Sequence, residues 1–316
     1  MSLVIETKDL TKVFDGRVVV DHLSFRIYSG ELLSLLGPNG AGKTTTIKML
    51  TTILKPNVGV ACINGYDIEK NKKEIRELIS IVPQELVLYE DLSGEENLLF
   101  FGKMHNIPPN KLKSEAQNIL YTLNLAGRND RVKNFSGGMK RKLNFGIGVI
   151  MNTEILFLDE PTAGLDPQAR NMVWQIIRSM KKEGKTIILT THDMHEAEIL
   201  SDRVLIIDNG KIIAEGSPDE LKDKYSEHNI LELKYKDDSN ELNLKHNLKK
   251  LDFVKDVIVN GDKSVSIYFD GNIINFIEIL NQKIINDVEE LEYMRLRQNS
   301  LEDVFLKLTG RKLRAQ

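Results

Sequence analysis

At 316 residues the chain is longer than one compact core usually requires, so we expect two domains, one larger than the other. Hydrophobic residues make up 41% and charged residues 28%, which is typical of a globular protein and argues against a disordered or fibrous one. The formal net charge of -3 gives no electrostatic reason to expect a nucleic-acid partner.

The cysteine count and the N-terminal residues bear on the compartment. The single cysteine, Cys62, lies in an apolar, strand-like stretch, so we expect a small buried hydrophobe and a reducing environment. The first residues lack the basic start and the apolar stretch of a signal peptide, and no run approaches the roughly 18 apolar residues of a membrane-spanning helix. We therefore expect at most a peripheral role at a membrane.

The first elements are predicted as strands. Residues 3–27 alternate apolar and polar side chains, which favours an antiparallel N-terminal sheet with one buried face. Leu32–Leu36 is a continuous apolar run that ends at a glycine-containing turn, as in a central strand buried on both faces. From Lys43 to Leu54 the apolar positions repeat at helical spacing. The predicted order is therefore strand, glycine-rich loop and helix.

The middle of the chain is predicted to be helical and then to alternate strands with a helix. Amphipathic segments at 97–105 and 111–123 predict a helical subdomain of about residues 85–150. Further on, buried-type strands flank an amphipathic helix, in the order strand 155–158, helix 168–182 and strand 186–190. This alternation favours an α/β fold with a mixed sheet at its core, closed by a hairpin at Asn209 and Gly210.

The pattern changes after residue 225, and we place a domain boundary there, between domains of residues 1–225 and 226–316. The smaller domain is predicted as α+β, with the order strand, helix, two strands, helix, strand and a final helix. This order would suit a ferredoxin-like sandwich. The predicted strands are 231–235, 257–259, 264–269 and 290–297.

The glycine-rich loop carries a phosphate-binding pattern. It matches G-x-x-x-x-G-K-[ST] between a strand and a helix, with the residues Gly37, Pro38, Asn39, Gly40, Ala41, Gly42, Lys43 and Thr44. Backbone N–H groups and the helix N-terminus would face the phosphates, Lys43 would reach the β and γ phosphates, and Thr44 would bind Mg²⁺. We expect Thr45 to belong to the same nucleotide site. A chance glycine-rich turn is the alternative, and the flanking strand and helix argue against it.

Two adjacent carboxylates follow the strand at 155–158. Asp159 and Glu160 would stand at the C-terminal edge of a parallel sheet, where α/β proteins bind their ligands. We expect Asp159 to hold Mg²⁺, mostly through water, and Glu160 to act as the general base on the attacking water. A salt-bridged strand end is the alternative, and the phosphate-binding pattern in the same chain favours the catalytic role.

Residues 134–141 begin Asn-Phe-Ser-Gly-Gly and resemble the signature segment of the ABC ATPases, which usually opens Leu-Ser-Gly-Gly. Phe135 stands where the family has leucine. The resemblance implies a P-loop NTPase domain of the ABC type, in which Ser136, Gly137 and Gly138 contact the ATP of the opposite subunit. Their position before a helix fits this role, because a helix N-terminus favours an anion.

The resemblance also implies roles for single residues. Phe14 resembles the aromatic residue that stacks on adenine, with a core position as the alternative. Gln84 resembles the Q-loop glutamine that contacts Mg²⁺ and water, with a surface-loop glutamine as the alternative. Asp166 resembles the loop residue at the dimer interface, and His192 the switch histidine that holds the γ phosphate. His192 and His195 could instead share a zinc ion, although zinc needs at least a third ligand.

Residues 89–97 and 301–310 resemble ATPases of the daunorubicin-resistance exporters. The resemblance implies hydrolysis of ATP to ADP and phosphate with Mg²⁺, powering export of drugs or other amphipathic compounds through a separately encoded membrane-spanning permease. It also implies a homodimer, or a heterodimer with a related ATPase, at the cytoplasmic face of the cell membrane. The alternatives are a soluble ABC ATPase acting on ribosomes or DNA, and a regulator that binds nucleotide without hydrolysis. Glu160 and His192 argue against the regulator.

Overall fold

The computed structural model describes residues 2–225, 229–236, 248, 251–259, 264–283, 291–297 and 299–310. The chain divides into two compact units, Met1–Pro218 and Asp219–Gln316. The division at residue 218 falls before the boundary that we placed at residue 225.

The first unit contains an antiparallel sheet, a larger mixed sheet and helices. In chain order its strands are β1 (Leu3–Phe14), β2 (Arg17–Tyr28), β3 (Leu32–Leu36), β4 (Val58–Ile63), β5 (Tyr66–Asp67), β6 (Ile79–Val82), β7 (Ile155–Asp159), β8 (Thr186–Thr191), β9 (Arg203–Asp208) and β10 (Lys211–Gly216). Its helices are α1 (Lys43–Leu50), α2 (Lys72–Leu78), α3 (Gly94–Met104), α4 (Pro109–Thr122), α5 (Gly137–Ile150), α6 (Pro167–Lys182) and α7 (Met194–Leu200).

The mixed sheet has the strand order β10-β9-β3-β8-β7-β6. Strands β6, β7, β8, β3 and β9 run parallel, and β10 pairs antiparallel with β9. Every residue of β3 is buried, which confirms the predicted central strand. The predicted hairpin is confirmed as well, because Asn209 and Gly210 join β9 to β10 with φ angles of 48° and 78°.

The antiparallel sheet has the order β2-β1-β4-β5, as expected for the alternating N-terminal residues. Within β4, Ala61 and Ile63 are buried, whereas Cys62 between them is half-buried. The expectation of a fully buried cysteine was therefore wrong, because successive strand residues point to opposite faces. Burial still raises the pKa of the Cys62 thiol.

Helices α3, α4 and α5 form the helical subdomain and pack through buried side chains such as Leu98, Leu120 and Phe145. The start of α3 is fixed by a capping box, in which the Ser93 hydroxyl accepts from the Glu96 N–H and the Glu96 carboxylate accepts from the Ser93 N–H. None of the helices in the described ranges has the length and apolar content needed to cross a membrane.

Helix α1 is shorter than predicted, because it ends at Leu50 rather than Leu54. Thr52 has a φ of 63°, and the N–H groups of Ile53 and Leu54 both donate to the carbonyl of Lys48. The chain therefore turns tightly after Leu50 and leaves Ile53 exposed. The apolar spacing continued beyond the helix, so periodicity alone overestimated its length.

The second unit begins within α8 (Pro218–Tyr225) and contains β11 (Asn229–Tyr235), β12 (Val254–Val259), β13 (Ser264–Phe269), α9 (Ile273–Lys283), β14 (Leu291–Arg297) and α10 (Leu301–Thr309). Its sheet is antiparallel with the order β12-β13-β11-β14, the order of a ferredoxin-like sandwich. One face buries an apolar cluster that includes Ile267, Phe269 and Phe276. The helix predicted between β11 and β12 falls largely outside the described residues.

Candidate nucleotide site

The predicted phosphate-binding loop lies between β3 and α1, at the C-terminal end of β3. Two of its glycines occupy places that a side chain cannot share. A Cβ on Gly37 would lie 2.1 Å from the carbonyl oxygen of Ile207, and one on Gly42 would lie 2.6 Å from that of Val19. Gly42 also has a φ of 100°, which glycine adopts without strain. The local backbone therefore requires glycine at both positions.

Lys43 is the first residue of α1, and its side chain is only 5% exposed. Its ammonium group donates to the carbonyls of Gly37 and Pro38, at 2.7 and 3.0 Å. The Nζ atom also lies 3.6 Å from Oε1 of Glu160. Burial lowers the pKa of Lys43, and the charge of Glu160 opposes that shift. The loop thus holds a cation directly beside the predicted general base.

Asp159 ends β7 and is almost fully buried. Its Oδ1 atom accepts from the hydroxyls of Thr190 and Thr44, the latter at 3.0 Å. Burial raises the pKa of Asp159, while these two hydrogen bonds act in the opposite direction. The Asp159 carboxylate and the Thr44 hydroxyl bring together the oxygen ligands that Mg²⁺ prefers, so the residues fit this ion.

Glu160 has a φ of 48°, a left-handed conformation that is uncommon for residues other than glycine. Its N–H donates to the carbonyl and hydroxyl oxygens of Thr190, each at 3.1 Å, which holds this conformation. The carboxylate lies 3.2 Å from Nδ1 of His192 and 3.4 Å from Nε2 of Gln84. The structure therefore brings Gln84, His192 and Lys43 together around Glu160.

A cavity of about 210 Å³ opens at this cluster. Its lining residues come from the glycine-rich loop, the start of α1 and the carboxylate cluster: Val19, Asn39, Gly40, Gly42, Lys43, Thr44, Thr45, Gln84 and Glu160. A larger cavity of about 650 Å³ lies near the N-terminal ends of β7 and β8 and is lined by none of the predicted site residues.

Two of the predicted signature residues, Ser136 and Gly137, are exposed, and Gly138 is half-buried, whereas both carboxylates are buried. Ser136 is the N-cap of α5, and its hydroxyl accepts from the N–H of Met139 at 3.3 Å. Phe135, just before it, is buried in the core of the first unit. A Cβ on Gly137 would meet no atom within 4 Å. None of Ser136, Gly137 and Gly138 lines the 210 Å³ cavity, and Ser136 and Gly137 face solvent.

Asp166 is also exposed and caps a helix. Its Oδ1 atom accepts from the N–H of Ala169 at 2.9 Å, which lowers the pKa of the Asp166 carboxyl. Phe14 lies at the end of β1 and is 43% exposed, with the ammonium of Lys12 5.2 Å from its ring centre. The alternative of a core position for Phe14 is therefore wrong.

The two histidines weighed as a zinc pair have separate surroundings. His192 contacts Glu160, whereas the His195 ring packs edge-to-face against Trp174, with ring centres 5.7 Å apart. Within the part of the chain that the structure describes, no group of three or more His, Cys, Asp or Glu residues is arranged to hold a metal.

The sequence analysis did not identify Thr190 and Glu196, two buried residues that support the site through hydrogen bonds. Thr190 joins Asp159 to Glu160, and its polar side chain in a buried strand could have indicated this role. Glu196 is 1% exposed and accepts from Thr162 and Trp174, at 2.8 Å in each case. Burial raises the pKa of Glu196, while these two hydrogen bonds and one with Thr191 act in the opposite direction. No local pattern marked Glu196, because its partners are distant in sequence.

A glycine-rich loop between a parallel strand and a helix, with buried carboxylates at the end of another strand of the same sheet, defines the P-loop nucleoside-triphosphatases. Within that class, the profile of the ABC transporter family matches residues 20–163. The daunorubicin/doxorubicin resistance ATP-binding protein DrrA of Streptomyces peucetius is 34% identical, over 97% of this chain and 92% of the relative. The chain therefore belongs to the ABC transporter family, as the signature segment predicted.

Two further similarities agree with this assignment. The linearmycin resistance ATP-binding protein LnrL of Bacillus subtilis is 35% identical, over 98% of this chain and 100% of the relative. A solved structure described as the ATP binding subunit of an ABC transporter superposes with a TM-score of 0.66 at 30% identity, covering 70% of this chain and 93% of that chain. The predicted fold class is thereby confirmed.

Proposed function

We propose that this chain is the subunit that binds and hydrolyses ATP in an ABC exporter of drugs or other amphipathic compounds. The observation that carries the proposal is the Glu160 carboxylate, which is held between Lys43, His192 and Gln84 at the edge of a cavity on the phosphate-binding loop. The relatives are named as ATP-binding proteins of resistance to daunorubicin, doxorubicin and linearmycin. The alternative of action on ribosomes or DNA has no observation in its favour.

The loop and the buried lysine account for nucleotide binding. Backbone N–H groups at the start of α1 and the ammonium of Lys43 would bind the phosphates, since both carry positive charge into the same cavity. Thr44 and Asp159, with Gln84 from the lining of the same cavity as Thr44, would hold Mg²⁺, which supplies charge neutralisation of the phosphates when bound. Phe14 would stack on the adenine ring, because its ring is exposed at the end of β1.

Hydrolysis requires a base for the attacking water and a compensating positive charge. Glu160 would accept the proton of that water, and its N–H bonds to Thr190 would hold the carboxylate in place. His192 lies within hydrogen-bond reach of the same carboxylate and would orient it while contacting the γ phosphate. Lys43 would stabilise the charge that develops on the transferred phosphoryl group.

The exposed signature residues support a dimer. Ser136, Gly137 and Gly138 stand at the N-terminus of α5, where a helix favours an anion, and they do not line the cavity at the phosphate-binding loop of their own chain. We therefore assign their phosphate to the ATP of a second ATPase, either another copy or a related chain. Asp166, exposed at the start of α6, would lie at the same interface.

An exposed apolar surface beside Gln84 is suited to the membrane partner. Leu86, Val87 and Tyr89 follow Gln84 and are 42–49% exposed, and Tyr89 stacks edge-to-face on Phe100, with ring centres 4.7 Å apart. Contiguous exposed apolar groups mark docking sites. We propose that a separately encoded membrane-spanning permease docks here, which would place the chain peripherally at the cytoplasmic face of the membrane.

Two measurements test this function. The purified full chain should hydrolyse ATP only when Mg²⁺ is present, and Lys43→Met should abolish nucleotide binding. Tagged chain isolated from membranes in mild detergent should bring a polytopic membrane protein with it in stoichiometric amount. Co-purification of ribosomal or DNA-repair proteins without a membrane protein would instead favour the soluble alternative.

A further inference from the structure

Helix α5, which begins at the signature residues, is tied to the segment that carries Gln84. Asn144 is buried in α5, and its side-chain amide donates to the carbonyl of Pro83 at 3.2 Å and accepts from the N–H of Val87 at 2.9 Å. Arg141, almost one turn earlier on the same face, donates from Nη1 to the carbonyl of Gln84. The backbone around Gln84 is therefore held from α5 on both sides.

Arg141 makes a second contact that Asn144 does not make. Its Nε donates to the carbonyl of Ala163 at 3.2 Å. Ala163 lies in the loop between β7 and α6, and its own N–H donates to the carbonyl of Glu160 at 3.2 Å. The Arg141 guanidinium therefore bridges the backbone of Gln84 and the loop that follows Glu160.

These contacts form a closed circuit. Gln84 donates to the Glu160 carboxylate, Glu160 is bonded to Ala163, and Arg141 joins Ala163 back to Gln84. The guanidinium is half-buried, and burial lowers its pKa while the charges of Glu160 and Asp159 oppose that shift. The guanidinium directs two N–H donors at the carbonyls of Gln84 and Ala163, in the fork-like geometry that only arginine provides.

We propose that Arg141 is a positioning residue for hydrolysis. It holds Gln84 and the loop after Glu160 in a fixed relative position. It also links both segments to the start of α5, because Ser136 lies five residues before Arg141. This inference rests on the proposed function, because it assigns a role in the hydrolysis that Glu160 carries out. Arg141 does not line the cavity, so it acts on nucleotide only through its neighbours.

The test compares Arg141→Met with Arg178→Met in the full chain. Arg178 is exposed on α6 and has no place in the nucleotide site, so it controls for the loss of an arginine. We expect Arg141→Met to lower kcat by about tenfold to a hundredfold, because small misplacement of a reacting group has an effect of this size. The KM for ATP should change by no more than about twofold, since the phosphate-binding contacts remain.

Two further variants separate positioning from general stability. Arg141→Lys keeps the positive charge but lacks the fork, so we expect it to recover little of the lost rate. In a Gln84→Ala background, Arg141→Met should cause a smaller drop in kcat than it does in the wild-type chain, because one of the two groups that Arg141 positions is gone. Thermal unfolding of every variant would report any loss of fold.

The outcomes distinguish this inference from the proposed function. If wild-type chain hydrolyses ATP and Arg141→Met matches Arg178→Met in kcat, Arg141 has no positioning role. Full additivity of Arg141→Met with Gln84→Ala would overturn the inference equally. If the wild-type chain shows no hydrolysis with Mg²⁺, alone or with its co-purified membrane partner, the proposed function fails and this inference fails with it.

Discussion

The two parts of the predicted nucleotide site differ in how the chain surrounds them. Lys43, Asp159 and Glu160 are each less than a tenth exposed and make hydrogen bonds or ion pairs within the first unit. Ser136 and Gly137 are exposed, and the cap of α5 is the one hydrogen bond that the Ser136 side chain makes with the described residues. One part is preorganised by its own fold, while the other presents polar groups outward.

The difference separates the residues that act in catalysis from those that act in assembly. Preorganised buried groups act at full strength on a developing charge, since no reorganisation is needed when the reaction occurs. An exposed helix start gains comparable strength only after a second surface excludes water from it. We therefore expect substitution of the buried Glu160 to change turnover with ATP binding retained, and substitutions in the exposed part to change assembly with the fold retained.

The largest effect is expected from Glu160→Gln. The amide cannot accept the proton of the attacking water, so kcat should fall by about 100- to 10,000-fold, the usual contribution of a general base. ATP binding should remain, because Lys43 and the glycine-rich loop are unchanged. The rate is measured by phosphate release and the affinity by equilibrium binding of ATP.

Glu154→Gln is the matched control, since Glu154 is exposed directly before β7, whereas Glu160 directly follows that strand. Its turnover should equal that of wild type. Retention of normal turnover by Glu160→Gln would remove Glu160 from the role of base and would erase the distinction between the two parts of the site.

The next effect concerns Gly137. Because a Cβ there has open space around it, Gly137→Asp should fold with a melting temperature close to that of wild type. The added carboxylate would face the phosphates of the partner's ATP, and like charges in an interface weaken association by several kcal/mol. We expect ATP-dependent dimerisation, measured by light scattering, and turnover to fall by at least about tenfold.

Gly137→Ala provides the comparison at the same position, because a methyl group adds bulk without charge. Its loss of dimerisation should be smaller than that of Gly137→Asp. An ATP-bound dimer that forms equally well with either substitution would show that the exposed helix start is not part of the interface.

Strong local patterns predicted much of this molecule. The apolar run of Leu32–Leu36, the glycine-rich loop and the Asn209-Gly210 turn each specify backbone geometry through adjacent residues, and the structure has the expected strand, loop and hairpin there. The end of α1 was not predictable in this way. Its tight turn depends on Thr52, a residue with no marked preference for a positive φ.

The supporting contacts of the site could not be read from the sequence either. Arg141 meets Gln84 across 57 residues, and Thr190 meets Asp159 across 31. Such pairs are set by the order of strands in the sheet and by the packing of α5, which a linear pattern does not contain. Residue types indicated the chemistry of the site, and tertiary packing determined which neighbours hold it.

A smaller effect is expected from Phe14→Ala. Phe14 lies at an exposed strand end and contributes no core packing, so its loss should leave the free energy of unfolding nearly unchanged. Loss of adenine stacking should weaken ATP binding by about 1 kcal/mol, or roughly fivefold in Kd. Val18→Ala is the control, because Val18 is similarly exposed on the neighbouring strand. Equal ATP affinities in the two variants would argue against stacking.

The smallest effect concerns Glu196, whose buried carboxyl supports the loop after Glu160 through Thr162. Burial raises the pKa of Glu196 above its usual 4.5, so its contribution to stability is fully present below pH 4.5 and is lost as the pH rises through the folded-state value. Glu196→Gln cannot titrate, and its amide oxygen can still accept from Trp174.

The stability of Glu196→Gln relative to wild type should therefore increase as the pH rises from 4.5 towards 8, by on the order of 1 kcal/mol, because the carboxyl keeps hydrogen-bond partners in either state. Urea unfolding of both proteins across this range measures the change. Parallel stability curves would mean that the carboxyl is accommodated equally in both protonation states. The pH dependence of the stability of this unit would then have to come from titratable groups other than Glu196.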